Sequence, residues 1–217
     1  MNILSLNNYN TAMHNTDLKK LEFLKAIGYK FVNKSSLVGF AYYKNLDSLN
    51  SDIKRCFLCH LRNGVKNPFS IAENSSSRLM FVNFMPSQAE EQSGQPWKDK
   101  EWFSTLIYEI LGLKTDEYRI SYAVKCHAKD SNINHTDSCL SYLFEEIRLV
   151  KPKVIVTLGS EVFRCFFANR NLNGIRGTLL KFENSILMPT FSVDWLVKNP
   201  SYKDDFVNDL NKLKGIL

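Results

Sequence analysis

A chain of 217 residues, 44% hydrophobic and 12% aromatic, carries enough apolar surface for one sizeable core, and its length fits one domain with an extension. Its apolar runs fall short of the roughly 18 residues that a membrane span needs, and the polar N-terminus lacks the charged and apolar regions of a secretory leader, so a cytoplasmic protein off the membrane is expected. The excess of 28 Lys and Arg over 22 Asp and Glu favours contact with phosphate backbones, although a solvated basic surface accounts for it equally well.

Residues 1–15 are Asn-rich and read as frayed. Asp17 is placed to cap a helix in which Leu18, Leu21, Leu24 and Ile27 recur at helical spacing and Gly28 supplies the stop. Short strands are expected within residues 30–43, and a second helix within 46–56. This N-terminal stretch, residues 1–55, reads as an appendage to a domain of residues 56–217. From residue 78 the pattern changes. Apolar runs at 78–86, 119–126 and 153–159 alternate with helical segments near 102–113, 139–150 and 160–169. Two short strands, at 179–182 and 185–190, and a closing helix at 201–217 follow. Continuous apolar strands alternating with helices predict a parallel sheet covered on both faces. Ligands of such sheets bind beyond the carboxyl ends of the strands. Those ends are Met85-Pro86, Lys125-Cys126, Gly159 and Thr190-Phe191, so function is expected in the loops that start there.

Five cysteines are present: Cys56, Cys59, Cys126, Cys139 and Cys165. An odd number in a chain read as unsecreted argues against a disulfide framework and for a metal site. Cys56 and Cys59 form a C-x-x-C pair. Cys126 ends an apolar run, and Cys139 opens the helix after the next loop. Four such thiolates suit zinc or an iron–sulfur cluster, and spacing alone does not separate the two. Cys165 lies within an apolar helix and reads as a core residue.

The ordered set of motifs resembles family 4 of the uracil-DNA glycosylase superfamily, from Cys56 to the C-terminus. The pieces are the C-x-x-C pair, the loop from Met85-Pro86-Ser87 to Gly94-Gln95-Pro96-Trp97, Val124-Lys125-Cys126, Pro152 to Gly159, Ile175-Arg176-Gly177, Pro189-Thr190, and Asn199-Pro200-Ser201 with Lys203. The resemblance implies an α/β fold, a three-layer α/β/α sandwich with a central, mostly parallel four-stranded sheet. It implies a [4Fe-4S] cluster on Cys56, Cys59, Cys126 and Cys139. It also implies a monomer that acts on uracil-containing or damaged DNA, single- or double-stranded, by flipping the base out of the stack.

Trp97 matches the family's base-stacking aromatic; core filling is the plainer role for such a ring. The backbone from Met85 to Ala89 is placed to hydrogen-bond the uracil edge. Trp195 and Leu196 match wedges into the minor groove, and Lys198 a phosphate contact. Three reactive positions differ from the family pattern. Phe84 stands where G-E-x-P-G has its water-handling Glu, Tyr122 where the family has its uracil-reading Asn, and Ser192 where it has the His of H-P-A-x-L-L-R. Two expectations follow. In one, a glycosylase with a rearranged site uses Glu90, Glu91 or Asp194 as carboxylate and Tyr122 or Ser192 as hydrogen-bonding group, with Glu90 and Glu91 otherwise a solvated pair. In the other, the fold and cluster bind DNA without the chemistry. His60, His127 and His135 read as surface residues, with ligation or phosphate contact as the alternative. Lys125 and Lys129 add positive charge beside Cys126.

Overall fold

The structure, a computed structural model, describes residues 3–5, 25, 28, 31–33, 43–65, 67–70, 77–97, 101–127, 136–167 and 172–217. The predicted helix at 18–28 lies almost wholly outside them, as do His135 and Lys129. Ile3–Ser5 (β1) pairs antiparallel with Phe31–Asn33 (β2), so part of the stretch read as frayed is a strand; Ile3 and Leu4 supply the short apolar run it needs.

The central sheet contains β3 (Leu79–Asn83), β4 (Tyr118–Tyr122), β5 (Val154–Leu158), β6 (Leu180–Phe182) and β7 (Ser185–Thr190), in the order β4-β3-β5-β7-β6. The four strands β4, β3, β5 and β7 run parallel, and β6 adds an antiparallel edge. Alternation along each strand divides the core in two. Leu79, Phe81, Val154, Val156 and Met188 face one side, while Met80, Val82, Ile155 and Leu187 face the other. The first side is covered by α3 (Glu101–Leu111), α6 (Val193–Lys198) and α7 (Lys203–Asn211) through residues such as Phe103, Ile107, Val193, Leu196, Phe206 and Leu210. The second is covered by α4 (Thr136–Val150) and α5 (Ser160–Phe166), through Leu143, Ile147, Phe163 and Phe166. This is the expected three-layer sandwich, and burial on both faces explains why the strands read as continuous apolar runs.

Helix α1 (Leu46–Lys54) is capped by Asn45 and buries Leu49 and Ile53 against Tyr142 of α4. Tyr43 ties the chain before it to the same helix: its N–H donates to Glu145 Oε2 (3.4 Å), and its carbonyl accepts from Arg148 Nη2 (2.6 Å). No helix among the described residues is long and apolar enough to cross a membrane.

Strand order reverses between β3 and β5. The chain leaves β3 for β4 on one side and later builds β5 and β7 on the other. This switch point, beyond the carboxyl ends of β3 and β5, is the usual ligand position in sheets of this kind.

Candidate active site at the carboxyl edge of the sheet

The loop leaving β3 starts at Asn83, whose buried side-chain oxygen accepts the N–H of Phe84 (2.9 Å). It turns through Pro86 into α2 (Gln88–Ser93), a helix where a polar loop was expected. The cause is a capping box: Ser87 Oγ accepts the Glu90 N–H (3.2 Å), and Glu90 Oε2 accepts the Ser87 N–H (2.6 Å). Glu90 is fully buried, so it is not the solvated loop residue of the plainer expectation. Its other oxygen, Oε1, accepts the Trp97 N–H (2.7 Å) and the Tyr122 hydroxyl (2.9 Å). A carboxylate out of water needs such donors, and charge-assisted bonds to both ends of the loop hold that loop against the end of β4.

Tyr122 is buried and meets Phe69 edge-to-face at 4.5 Å. Trp97 is 2% exposed and takes a left-handed backbone (φ 55°), a rare conformation for a bulky residue. Its ring packs with Phe81, Phe103 and Tyr118 in the core under α3, the plainer of the two roles considered for it. Phe84 is half-buried against the opposite core, under α4 and α5, and Met85 is half-buried beside it.

Glu91 is also engaged: its Oε2 accepts the His127 N–H (3.2 Å), and His127 Nδ1 lies 3.1 Å from the Pro86 carbonyl. This histidine, read from sequence as a surface residue, joins the β3 loop to the segment carrying Cys126. Lys125 turns inward and does not face solvent beside Cys126. Its ammonium donates to Glu146 Oε2 (2.7 Å) and to Ser121 Oγ (3.0 Å), and Ser121 in turn donates to Glu146. Burial lowers the Arg119 pKa, and the Glu146 charge partly restores it.

Cys126 and Cys139 are buried, whereas Cys56 and Cys59 are half-buried. Burial pushes the Cys126 thiol up to about 12, and the nearby Cys139, Cys59 and Cys56 push in the same direction. Cys139 is raised to about 11 by burial, against the lowering effects of a backbone hydrogen bond with Lys125 and of its charge. The C-x-x-C turn thus approaches the other two cysteines at the β4 end of the edge. Cys165 instead donates to the Glu161 carbonyl within α5 (3.3 Å). Among the described residues no group of three or more His, Cys, Asp or Glu side chains is placed so that it could hold a metal ion. The donor set, four thiols without a carboxylate, fits soft thiolate-bound metals such as iron–sulfur clusters or zinc.

At the other end of the edge, Ser192 caps α6, its Oγ accepting the Trp195 N–H (3.2 Å). Gly159, at the end of β5 with φ 101°, comes so close that a Cβ there would lie 3.1 Å from Ser192 Cβ. Asp194 and Lys198 are exposed. Trp195 stacks on Phe191 (4.6 Å, 18°) and leans on Tyr202 (4.9 Å), and the Arg176 guanidinium covers the Phe191 ring at 4.6 Å. Leu196 points into the core. A groove of about 230 Å³ beside this patch is lined by Trp102, Leu106, Leu196, Val197, Pro200 and Lys203.

The model of the uracil DNA glycosylase superfamily matches residues 71–214. The chain belongs to that superfamily. Its relatives include the type-4 uracil-DNA glycosylase of Saccharolobus solfataricus, 26% identical over 80% of this chain and 87% of the relative. Others are the type-4 enzymes of Sulfurisphaera tokodaii (26%, covering 79% and 84%) and of Thermotoga maritima (23%, covering 79% and 94%).

Within this superfamily framework, several of the quoted motif residues are supports. Arg176 Nη1 pairs with buried Asp209 Oδ2 (2.5 Å), which also accepts the Thr190 hydroxyl (2.7 Å); Lys212 donates to the Gly177 carbonyl (2.9 Å). Arg176, Gly177 and Thr190 together bind the end of β7 to α7. Reading the sequence missed Asp209, Asn83 and the Glu91–His127 link. Of the missed features, α2 had a readable signal in Ser87-x-x-Glu90.

Proposed function

We propose that the chain is a DNA glycosylase that hydrolyses the N-glycosidic bond of uracil, or of a related damaged base, in DNA. The observation that carries this reading is superfamily membership in a chain whose β3 loop, cysteine segments and aromatic, basic segment after β7 all follow carboxyl ends of the sheet or flank them. Hydrolysis adds water to the sugar carbon, breaks its bond to the base, and returns a proton to the departing base. The base must leave the stack to reach the switch point beyond the ends of β3 and β5.

Glu90 is read as a positioning residue, because Ser87, Trp97 and Tyr122 all donate to its carboxylate. Trp97 shares that role from the core. The exposed Asp194, two residues after the Ser192 that abuts Gly159, is read as the carboxylate that handles water or steadies the sugar cation. The Ser192 hydroxyl, whose oxygen already accepts from Trp195, keeps its proton for the base or the water. Phe84 and Met85 are read as flanking the base on the β3–β4 side, and the fully buried Tyr122 as holding Glu90 in place. Trp195 and Lys198 meet DNA.

Cys56, Cys59, Cys126 and Cys139 would hold a [4Fe-4S] cluster, with one thiolate per iron. Bound there, the cluster supplies metal–thiolate links that fix the C-x-x-C turn to the end of β4 and the start of α4.

The test is an oligonucleotide with one uracil, single-stranded or opposite G or A, followed by alkaline cleavage of abasic sites. Cleavage that rises with enzyme and falls at least tenfold in Asp194→Asn is expected. Undiminished cleavage in that variant removes Asp194 from the site, and no cleavage by cluster-loaded, DNA-binding protein leaves a binding protein of the same fold.

A further inference from the structure

The residues between the first two cysteines, Phe57 and Leu58, are 81% and 55% exposed. Single exposed apolar residues are ordinary on any protein. These two differ in being adjacent, at the tip of a turn, and held from below. The Leu58 N–H bonds back to Cys56 Sγ (3.4 Å), and both flanking thiols lie near Cys126. The surroundings are cationic. Residues 53–72 include Lys54, Arg55, Arg62 and Lys66 and no Asp or Glu, while Asp52 just before them pairs with Arg55 (3.3 Å), an exposed pair that a DNA phosphate can replace. Lys54 and Arg55 are exposed, and the Arg62 guanidinium lies 5.8 Å from the Phe57 ring centroid. Arg62 is itself anchored, donating to the carbonyls of Lys54 and Val65. An apolar tip with basic side chains beside it is complementary to stacked bases edged by phosphates.

The wedge role is also open elsewhere. Leu196 is buried in the core and cannot enter DNA without unpacking α6, while Trp195 is stacked on Phe191 and Tyr202. We propose that the Phe57-Leu58 tip of the C-x-x-C turn is the element that enters the base stack, with Lys54 and Arg55 on the flanking phosphates. Apolar wedges of this type unstack neighbouring bases and bend the duplex. A metal held by the four thiols would stiffen the base of the wedge, so that its entry would not simply deform the turn. The geometry is suitable. The turn stands at the β4 end of the edge and the Trp195–Tyr202 patch beyond β7, three strand spacings away. That is about 14 Å, or roughly four base-pair steps along a duplex, with the carboxyl ends of β3 and β5 between them.

This inference rests on DNA being the substrate, and the experiment separates the two. Cluster-loaded full-length protein is titrated into a uracil-containing duplex carrying 2-aminopurine next to the uracil. Affinity is read by anisotropy and unstacking by 2-aminopurine fluorescence; cluster absorbance reports folding. Phe57→Ser/Leu58→Ser is expected to keep its cluster, to bind about tenfold more weakly, and to lose most of the fluorescence rise. Phe57→Leu retains both signals, since an apolar side chain still enters the stack. Lys54→Gln/Arg55→Gln retains the fluorescence rise at saturation but shows a shallower salt dependence. Wild-type protein that fails to bind DNA overturns the glycosylase reading itself. Wild-type binding that the Phe57→Ser/Leu58→Ser variant matches in affinity and fluorescence overturns this inference alone.

Discussion

Replacing Glu90 with Gln tests whether the carboxylate is a bracket. The side chain keeps its shape but loses its charge and one acceptor oxygen. Three donors converge on the native group: Ser87 N–H at 2.6 Å, Trp97 N–H at 2.7 Å and Tyr122 Oη at 2.9 Å. With Gln, at least one of them faces an NH₂ donor, at a site with no exposure to water. Losing one hydrogen bond to a charged group costs about 1.5–3 kcal/mol, and leaving its donor unsatisfied adds to this. We expect about 3 kcal/mol in total, or roughly 10 °C in Tm for a domain of this size. Tyr122→Phe removes one donor and leaves two, so its expected cost is about 1–2 kcal/mol. The two substitutions should be non-additive, because they share an interaction. Urea unfolding at matched cluster content is the assay. A Glu90→Gln protein within about 0.5 kcal/mol of wild type would refute the bracket.

Other outcomes follow from the same geometry. Protein purified without oxygen should be brown with about four irons per chain; Cys56→Ser should lose the metal, while Cys165→Ser keeps it, as iron analysis will tell. Colourless protein with one zinc contradicts the cluster. Stripped of metal, the fold should lose stability as pH rises from about 9 toward 12. The folded state holds the Cys126 proton up to about 12, while the unfolded thiol ionises near 8.5. Metal-loaded protein, with no thiol proton to lose there, should lack that alkaline slope in its unfolding midpoint. Gly177→Ala puts a Cβ 2.0 Å from Asp209 Oδ1 at φ 66°, so a loss on the order of 3 kcal/mol is expected, and an unchanged Tm contradicts the Asp209 network.

The sheet was legible because burial on both faces leaves unbroken apolar runs such as residues 79–83 and 154–158, and β-branched residues mark them as strands. The motif order was legible as well, since Arg176-Gly177 and Pro189-Thr190 keep their place along the chain. What those residues do was not. Thr190 and Arg176 act through Asp209, an acid from the closing helix whose partners lie 19 and 33 positions away. The same limit applied to Glu90. Its neighbours in sequence are mostly polar, and only tertiary structure reveals that Trp97 and Tyr122 close over it. Ser192 illustrates local chemistry overlooked: a Ser before Val193-Asp194-Trp195 is a helix cap, and it starts α6 within a segment read as a loop. Lys125 shows the reverse, a lysine expected at the surface that Glu146 holds inside.

The most direct measurement is release of free base. Cluster-loaded protein is mixed with an excess of an oligonucleotide carrying one isotopically labelled uracil, and the small-molecule fraction is analysed by mass. Free labelled uracil accumulating through many turnovers, with an abasic but unbroken strand left behind, is the predicted result. Tight, salt-sensitive DNA binding with all of the label still in the strand would contradict the glycosylase assignment.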